Sequence, residues 1–189
     1  MCVTDVLSCA SSIVGTAPAD PQCAQEIENL DTLTSLKQLW LGKNKLTTLS
    51  NLSALKSLTL LSLQSNRLTS DSLSHLSSLP HLTDLYLSHN ALDSLTPLGS
   101  VTTLRVLDVS SNPLSSLRGV EGNADIEEVW ASSCAVDSFA DVEAALRDKA
   151  GLTTVYLEGN PLETRQKALY RNKVRLALPQ VKQIDASEL

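Results

Sequence analysis

One eleven-position pattern recurs along this chain and limits what it can fold into. Leu36–Leu46, LKQLWLGKNKL, places apolar residues at Leu36, Leu39, Leu41 and Leu46 and an asparagine at Asn44. The same order returns as LTLLSLQSNRL, LTDLYLSHNAL, LRVLDVSSNPL and LTTVYLEGNPL, with a degraded copy, IEEVWASSCAV, before the last. The key positions Asn44, Asn66, Asn90, Asn112, Cys134 and Asn160 follow one another at 22, 24, 22, 22 and 26 residues (66 − 44 = 22 for the first pair). A unit this short cannot bury its own apolar face. It has to stack on identical neighbours and build one continuous core along an axis.

The pattern predicts an α/β repeat: a leucine-rich-repeat solenoid of the 22-residue type, with short parallel concave strands, convex 3-10 or α turns and a C-terminal helical cap. In each coil x-x-L-x-L-x-x is a strand whose leucines point inward, and the residues between them face the concave surface with period two. The asparagine ends the strand, turns inward and bonds backbone groups that the bend leaves unpaired. Cys134 in that position predicts a softer fifth coil and a structural rather than reactive thiol. Residues 24–162 form the repeats, one partial and six further coils, and 163–189 form the cap. Residues 1–23 match no repeat: 22 residues before Leu39 and Leu41 stand Ala17 and Ala19, in the proline-containing TAPADP. That segment is expected to be disordered, and entry into the pattern in mid-repeat at Ile27 and Leu30 suggests a truncated or mis-started form of a longer array. Two coils are stretched. Thr69–Leu79 predicts a longer convex turn, and DSFADVEAALRDKAG a helix capped by Ser138 with Asp141. ETRQKALYRNKVRLALP predicts one amphipathic helix, burying Tyr170, Val174 and Ala177 and ended by Pro179.

Charge and chemistry exclude several functions. A net charge of −6 argues against nucleic acid as a partner, because phosphate contacts need a basic patch. No apolar run approaches the roughly 18 residues a membrane span needs, so no membrane partner is expected. Three of the four cysteines, Cys2, Cys9 and Cys23, lie near the start without metal-ligand spacing, and reduced thiols in an intracellular protein are expected. The start of the chain has no Lys or Arg and carries Asp5, unlike a secretion signal. His75, His81 and His89 sit in turns or at a strand end, away from any nucleophile and acid. No catalytic group, metal site or cofactor is predicted.

The residue between the two inward leucines gives, coil by coil, Trp40, Ser62, Tyr86, Asp108, Trp130 and Tyr156. Both tryptophans and two of the three tyrosines of the chain fall in this column, which the alternation turns away from the core. Asp84, Glu128 and Glu158 flank it, and no base borders it. Rings interleaved with acids suit a protein-binding hot spot: the rings give contact area at low entropic cost and the acids select basic groups. Trp130 is its expected strongest anchor. As an outward-facing ring, its removal is expected to change stability by no more than about 0.5 kcal/mol.

IENLDTLTSLKQLWLGKNKLTTL, LSLQSNRLT, LTDLYLSHN and TVYLEGNPL with YRNKVRLALPQVKQIDA resemble the protein phosphatase 1 regulatory subunit 7 family, over about Glu26 to Asp185. LGKNK and the YRxxV…LPxVxxIDA ending are the specific parts. The resemblance implies a monomeric, non-catalytic subunit of nucleus and cytoplasm that binds the phosphatase catalytic subunit through its concave face, with the C-terminal part of that family's array present. It also implies that Trp40, Asp108, Glu128, Trp130 and Tyr156 are contact positions, with Tyr86 their neighbour. The longer third coil and Cys134 depart from the family pattern. Another intracellular leucine-rich-repeat adaptor, of spliceosomal or axonemal type, is the alternative; an enzyme or secreted receptor ectodomain is a more distant one.

Overall fold

The computed structural model describes residues 6–8, 14–15 and 26–188. Its spine is a run of three-residue strands, and each of those from Gln38–Trp40 onward is followed by a turn that carries the chain back over the convex side. They are β1 (Val6–Ser8), β4 (Gln38–Trp40), β5 (Leu60–Ser62), β6 (Asp84–Tyr86), β7 (Val106–Asp108), β8 (Glu128–Trp130) and β9 (Thr154–Tyr156). Between the first two lie β2 (Val14–Gly15) and β3 (Glu26–Ile27), an antiparallel pair. Beyond β9 come β10 (Gln183–Ile184) and β11 (Ser187–Glu188). Among the described residues the main sheet runs β1-β4-β5-β6-β7-β8-β9-β10-β11, parallel except for its last pair. Register keeps like positions together: Leu39, Leu61, Leu85, Leu107, Val129 and Val155 stand side by side. Stacking these with the second inward leucine, Leu41 to Leu157, and with the convex leucines makes a single core running the length of the array.

The expectation for residues 1–23 falls mostly outside the described residues. The five that are described, Val6–Ser8 and Val14–Gly15, are extended and paired, and Leu7 stands opposite Leu39. The strand position beside β4 is therefore filled by a segment that a 22-residue count does not reach.

The asparagine ladder is present and regular. Asn66 Nδ2 donates to the carbonyls of Leu63 (2.9 Å) and, one coil back, of Leu41 (2.9 Å), while its Oδ1 accepts from the Leu46 amide at 3.0 Å. Asn90, Asn112 and Asn160 repeat this set, the last to Ala131, Leu157 and Val136. The residue before each rung is left-handed: Lys43, Ser65, His89, Ser111 and Ser133 have φ between 54° and 59°, and Gly159 has φ 76°. That conformation reverses the strand so that the amide can reach inward. Cys134 keeps only part of the set. Its Sγ lies 3.4 Å from the Val109 carbonyl, but the thiol offers no amide oxygen to Leu114, the counterpart of the donors Leu92 and Val136. Burial pushes this thiol's pKa up, which suits a structural role. Cys134→Asn is expected to raise the unfolding free energy by about 1 kcal/mol through the restored bonds, and Asn90→Ala to lower it by about 1–3 kcal/mol. Asn172→Ala, on the exposed face of the last helix, should stay within about 0.5 kcal/mol of the parent. Urea melts of the three variants decide; equal effects from Asn90 and Asn172 would refute the ladder's role.

The convex side follows the predicted stretching. The third coil's insert is a 3-10 helix, Ser70–Ser78, whose Leu73 and Leu76 are buried, and a second, Thr96–Ser100, packs beside it. The sixth coil carries α1 (Phe139–Leu146), where Ser138 Oγ accepts from the Asp141 amide at 3.2 Å, as the capping pattern predicted. The expected single C-terminal helix is instead two, α2 (Pro161–Thr164) and α3 (Tyr170–Ala177). Thr164–Leu169 buries no side chain, so nothing there holds a helical turn against the core. After α3 the chain adds β10 to the sheet and then places Asp185 under the last coil. Its Oδ1 accepts from the Leu157 amide (2.8 Å) and its Oδ2 from the Tyr170 hydroxyl (2.9 Å). Burial and the adjacent Asp185 carboxylate raise the Tyr170 pKa far above the ordinary phenol value.

Candidate functional site

Because parallel register aligns the concave positions, Trp40, Ser62, Tyr86, Asp108, Trp130 and Tyr156 lie opposite one another across β4 to β9. Alternation decides only the face; the side chains then choose their own contacts. Tyr86 and Trp130, two strands apart, lean toward each other across β7, with ring centroids 6.1 Å apart and planes at 65°. Trp130 meets Tyr156 in the same edge-on manner at 5.6 Å. Three of the predicted residues therefore form one aromatic cluster. Trp40 stands apart beyond Ser62, 39% exposed and, among the described residues, in no ring contact.

Two expectations need correcting. Asp108 does not project as a free acid: it is 4% exposed, between the strands that carry Tyr86 and Trp130. Its Oδ1 accepts from the Ser110 amide (3.0 Å) and its Oδ2 from Gln64 Nε2 (3.3 Å). The rings bend over its strand because stacked edges bury more apolar area than two upright rings would. Trp130, likewise, is half-buried rather than outward, and its Nε1 donates to Glu128 Oε2 at 3.1 Å. Two edge contacts worth about 0.5–1.5 kcal/mol each make its removal a cost to stability as well.

The acids set the electrostatics. Asp84 accepts from the Thr83 hydroxyl at 2.6 Å, and Glu158 is exposed beside Tyr156 in sequence. Partial burial, with Asp84, Glu128 and Asp108 in its field, pushes the Tyr86 hydroxyl's pKa up, so it stays a neutral hydrogen-bond donor. Two glutamines that the sequence reading passed over hold the cluster in place. Gln64 fixes Asp108, and Gln183 Nε2 donates to the Tyr156 hydroxyl at 2.8 Å. Gln64 is two residues past a column position and was legible on the same alternation. Gln183 was not, since β10 lies outside the repeat pattern.

Comparison with known proteins fits this architecture. A leucine-rich-repeat family model matches residues 56–114. An internalin from Listeria monocytogenes superposes with a TM-score of 0.60 at 19% identity, covering 88% of this chain and 52% of that one. A leucine-rich-repeat protein of Leptospira interrogans does so at 0.65 and 24% identity, over 80% and 37%. The fold is a leucine-rich-repeat solenoid. These two likenesses bear on the fold alone. At the level of sequence, the chain is similar to regulatory subunits of protein phosphatase 1. It is 50% identical over 66 residues to the fission yeast regulatory subunit SDS22, 35% of this chain and 20% of that protein. It is 52% identical over 52 residues to regulatory subunit 7 of Xenopus tropicalis and 48% identical over 52 to the human one, in each case 28% of this chain and 14% of the relative. The matched segments thus span a fifth or less of those relatives' lengths.

Proposed function

We propose that this leucine-rich-repeat protein is a non-catalytic regulatory subunit that binds the catalytic subunit of protein phosphatase 1 through its concave face. The observation that carries this reading is the Tyr86–Trp130–Tyr156 cluster ringed by Asp84, Glu128 and Glu158: rigid aromatic area with acids beside it, on a face that parallel register keeps open. Support comes from the relatives at about half identity, which are named as regulatory subunits of that phosphatase. Trp40 and the buried Asp108 extend the contact along the column, the first by its exposed ring and the second by holding the strand beneath the cluster.

Isothermal titration of the purified chain with purified phosphatase catalytic subunit tests the reading. Saturable one-to-one binding, weakened by substitutions at Tyr86 or Tyr156, is expected. Absence of binding, with the capture of a different repeat-adaptor assembly instead, would overturn it.

A further inference from the structure

A second surface, on the rim where the strands turn, has the opposite charge from the concave cluster. A shallow depression of about 550 Å³ crosses three successive coils there, lined by Lys43, Lys45, Ser65, Arg67 and His89 together with two ladder asparagines. Among the described residues no carboxylate lines it, although the chain carries a net charge of −6. Lys43, Ser65 and His89 are the left-handed residues that precede three consecutive rungs. The repeat therefore sets them side by side, with about 10 Å of backbone from the first to the third at ordinary strand spacing. The floor is already satisfied: Asn66 spends its amide on Leu41, Leu63 and the Leu46 amide. Lys43, Arg67 and His89 are exposed, and none has a side-chain hydrogen bond or ion pair. Lys43, Arg67 and His89, gathered by the fold and left without counter-charges among the described residues, constitute an anion site in both geometry and field.

The shape selects the anion. Lys43 and Arg67, the two permanent cations here without a partner among the described residues, and the His89 imidazole come from three coils around one depression. That suits a compact dianion, with the planar guanidinium of Arg67 bonding two of its oxygens and Lys43 supplying a point charge. A nucleic-acid strand would need a longer basic track, and the rim positions that follow, Ser111, Pro113, Ser133 and Ala135, carry no charge. A lone carboxylate would use one cation and leave the others idle. We propose that this rim docks a phosphorylated serine or threonine on a partner polypeptide, with the phosphate between Arg67 and Lys43 and His89 at its edge.

The test is a titration of the isotope-labelled full chain, followed at each backbone amide, with three probes: the peptide Gly-Ser-Gly-Ser-Gly phosphorylated on its first serine, its unphosphorylated parent, and inorganic phosphate. The phosphopeptide should perturb the amides of Lys43, Ser65, Arg67 and His89 and bind at least tenfold tighter than the parent. Arg67→Ala should erase most of that difference, whereas Asn172→Ala, on the exposed face of the last helix, should leave it intact. Inorganic phosphate should compete at the same amides. The proposal fails if phosphorylation does not tighten binding, if the perturbed amides lie elsewhere, or if a single-stranded oligonucleotide binds these residues more tightly than the phosphopeptide. Because phosphatase binding is not measured, failure here leaves the concave-face reading standing, and the converse holds too.

Discussion

Trp130→Ala is expected to weaken binding of the phosphatase catalytic subunit by about 2 kcal/mol or more, roughly thirtyfold in affinity. The ring is the centre of the concave cluster, touching Tyr86 on one side and Tyr156 on the other, and it holds Glu128 through its Nε1. Its loss removes the anchor and releases both tyrosines and the acid. For the same reason the variant should also lose about 1–3 kcal/mol of stability, so a melting curve alone cannot separate contact from folding. Trp130→Phe makes the separation: it keeps an aromatic edge for both tyrosines but lacks the Nε1–H. It should recover most of the stability and only part of the affinity. Glu128→Gln should weaken binding with an effect that shrinks as salt rises, because part of it is a screened charge interaction. Parent-like binding by Trp130→Ala would move the partner site off the concave face.

Gly119→Ala carries the largest expected effect on folding. Gly119 sits in the convex turn after β7 at φ +114°, and a Cβ there would lie 2.3 Å from both the carbonyl carbon and oxygen of Leu95 and 2.6 Å from the Thr96 nitrogen. Those are backbone atoms of the preceding coil and cannot rotate away. The unfavourable φ and the overlap together should cost about 3 kcal/mol or more, lowering the melting temperature by roughly 6–12 °C in a chain of this size. Gly99→Ala is the matched control: its Cβ would meet only the Gly119 carbonyl oxygen, at 3.9 Å, with no strain in φ. If the two variants melt together, the coils do not approach as closely here as the structure shows.

The solenoid was legible in the sequence because its determinants are periodic. A leucine every few positions fixes the core, an asparagine every coil fixes the turn, and Ser138 with Asp141 marks a helix start by hydrogen-bond chemistry local to four residues. Features that depend on one coil's relation to the next were not legible. Period two says that Tyr86, Asp108 and Trp130 share a face, but not that two rings will lean together over the strand of the acid between them. Gly119 looks like any turn glycine until the Leu95 carbonyl is seen against it. The break between α2 and α3 has no proline or glycine to announce it; it follows from Thr164–Leu169 having no core to rest on. The basic rim escaped notice because Lys43, Arg67 and His89 are far apart in the chain and adjacent only once wound.

The terminal cover is tied to the concave face by its own side chains. Gln183, on the strand that closes the array, holds the Tyr156 hydroxyl, and two residues later Asp185 secures both the last coil and Tyr170 of the closing helix. The end of the solenoid is therefore more than a lid over exposed leucines: it acts as a fixed wall against which the final ring of the cluster is set. Through the Gln183–Tyr156 bond, a change in that closing segment should reach the concave surface even where every leucine is retained. A graft of this cap onto another array would carry a tyrosine socket with it, and a different cap on this array would unseat Tyr156 while leaving the coils wound.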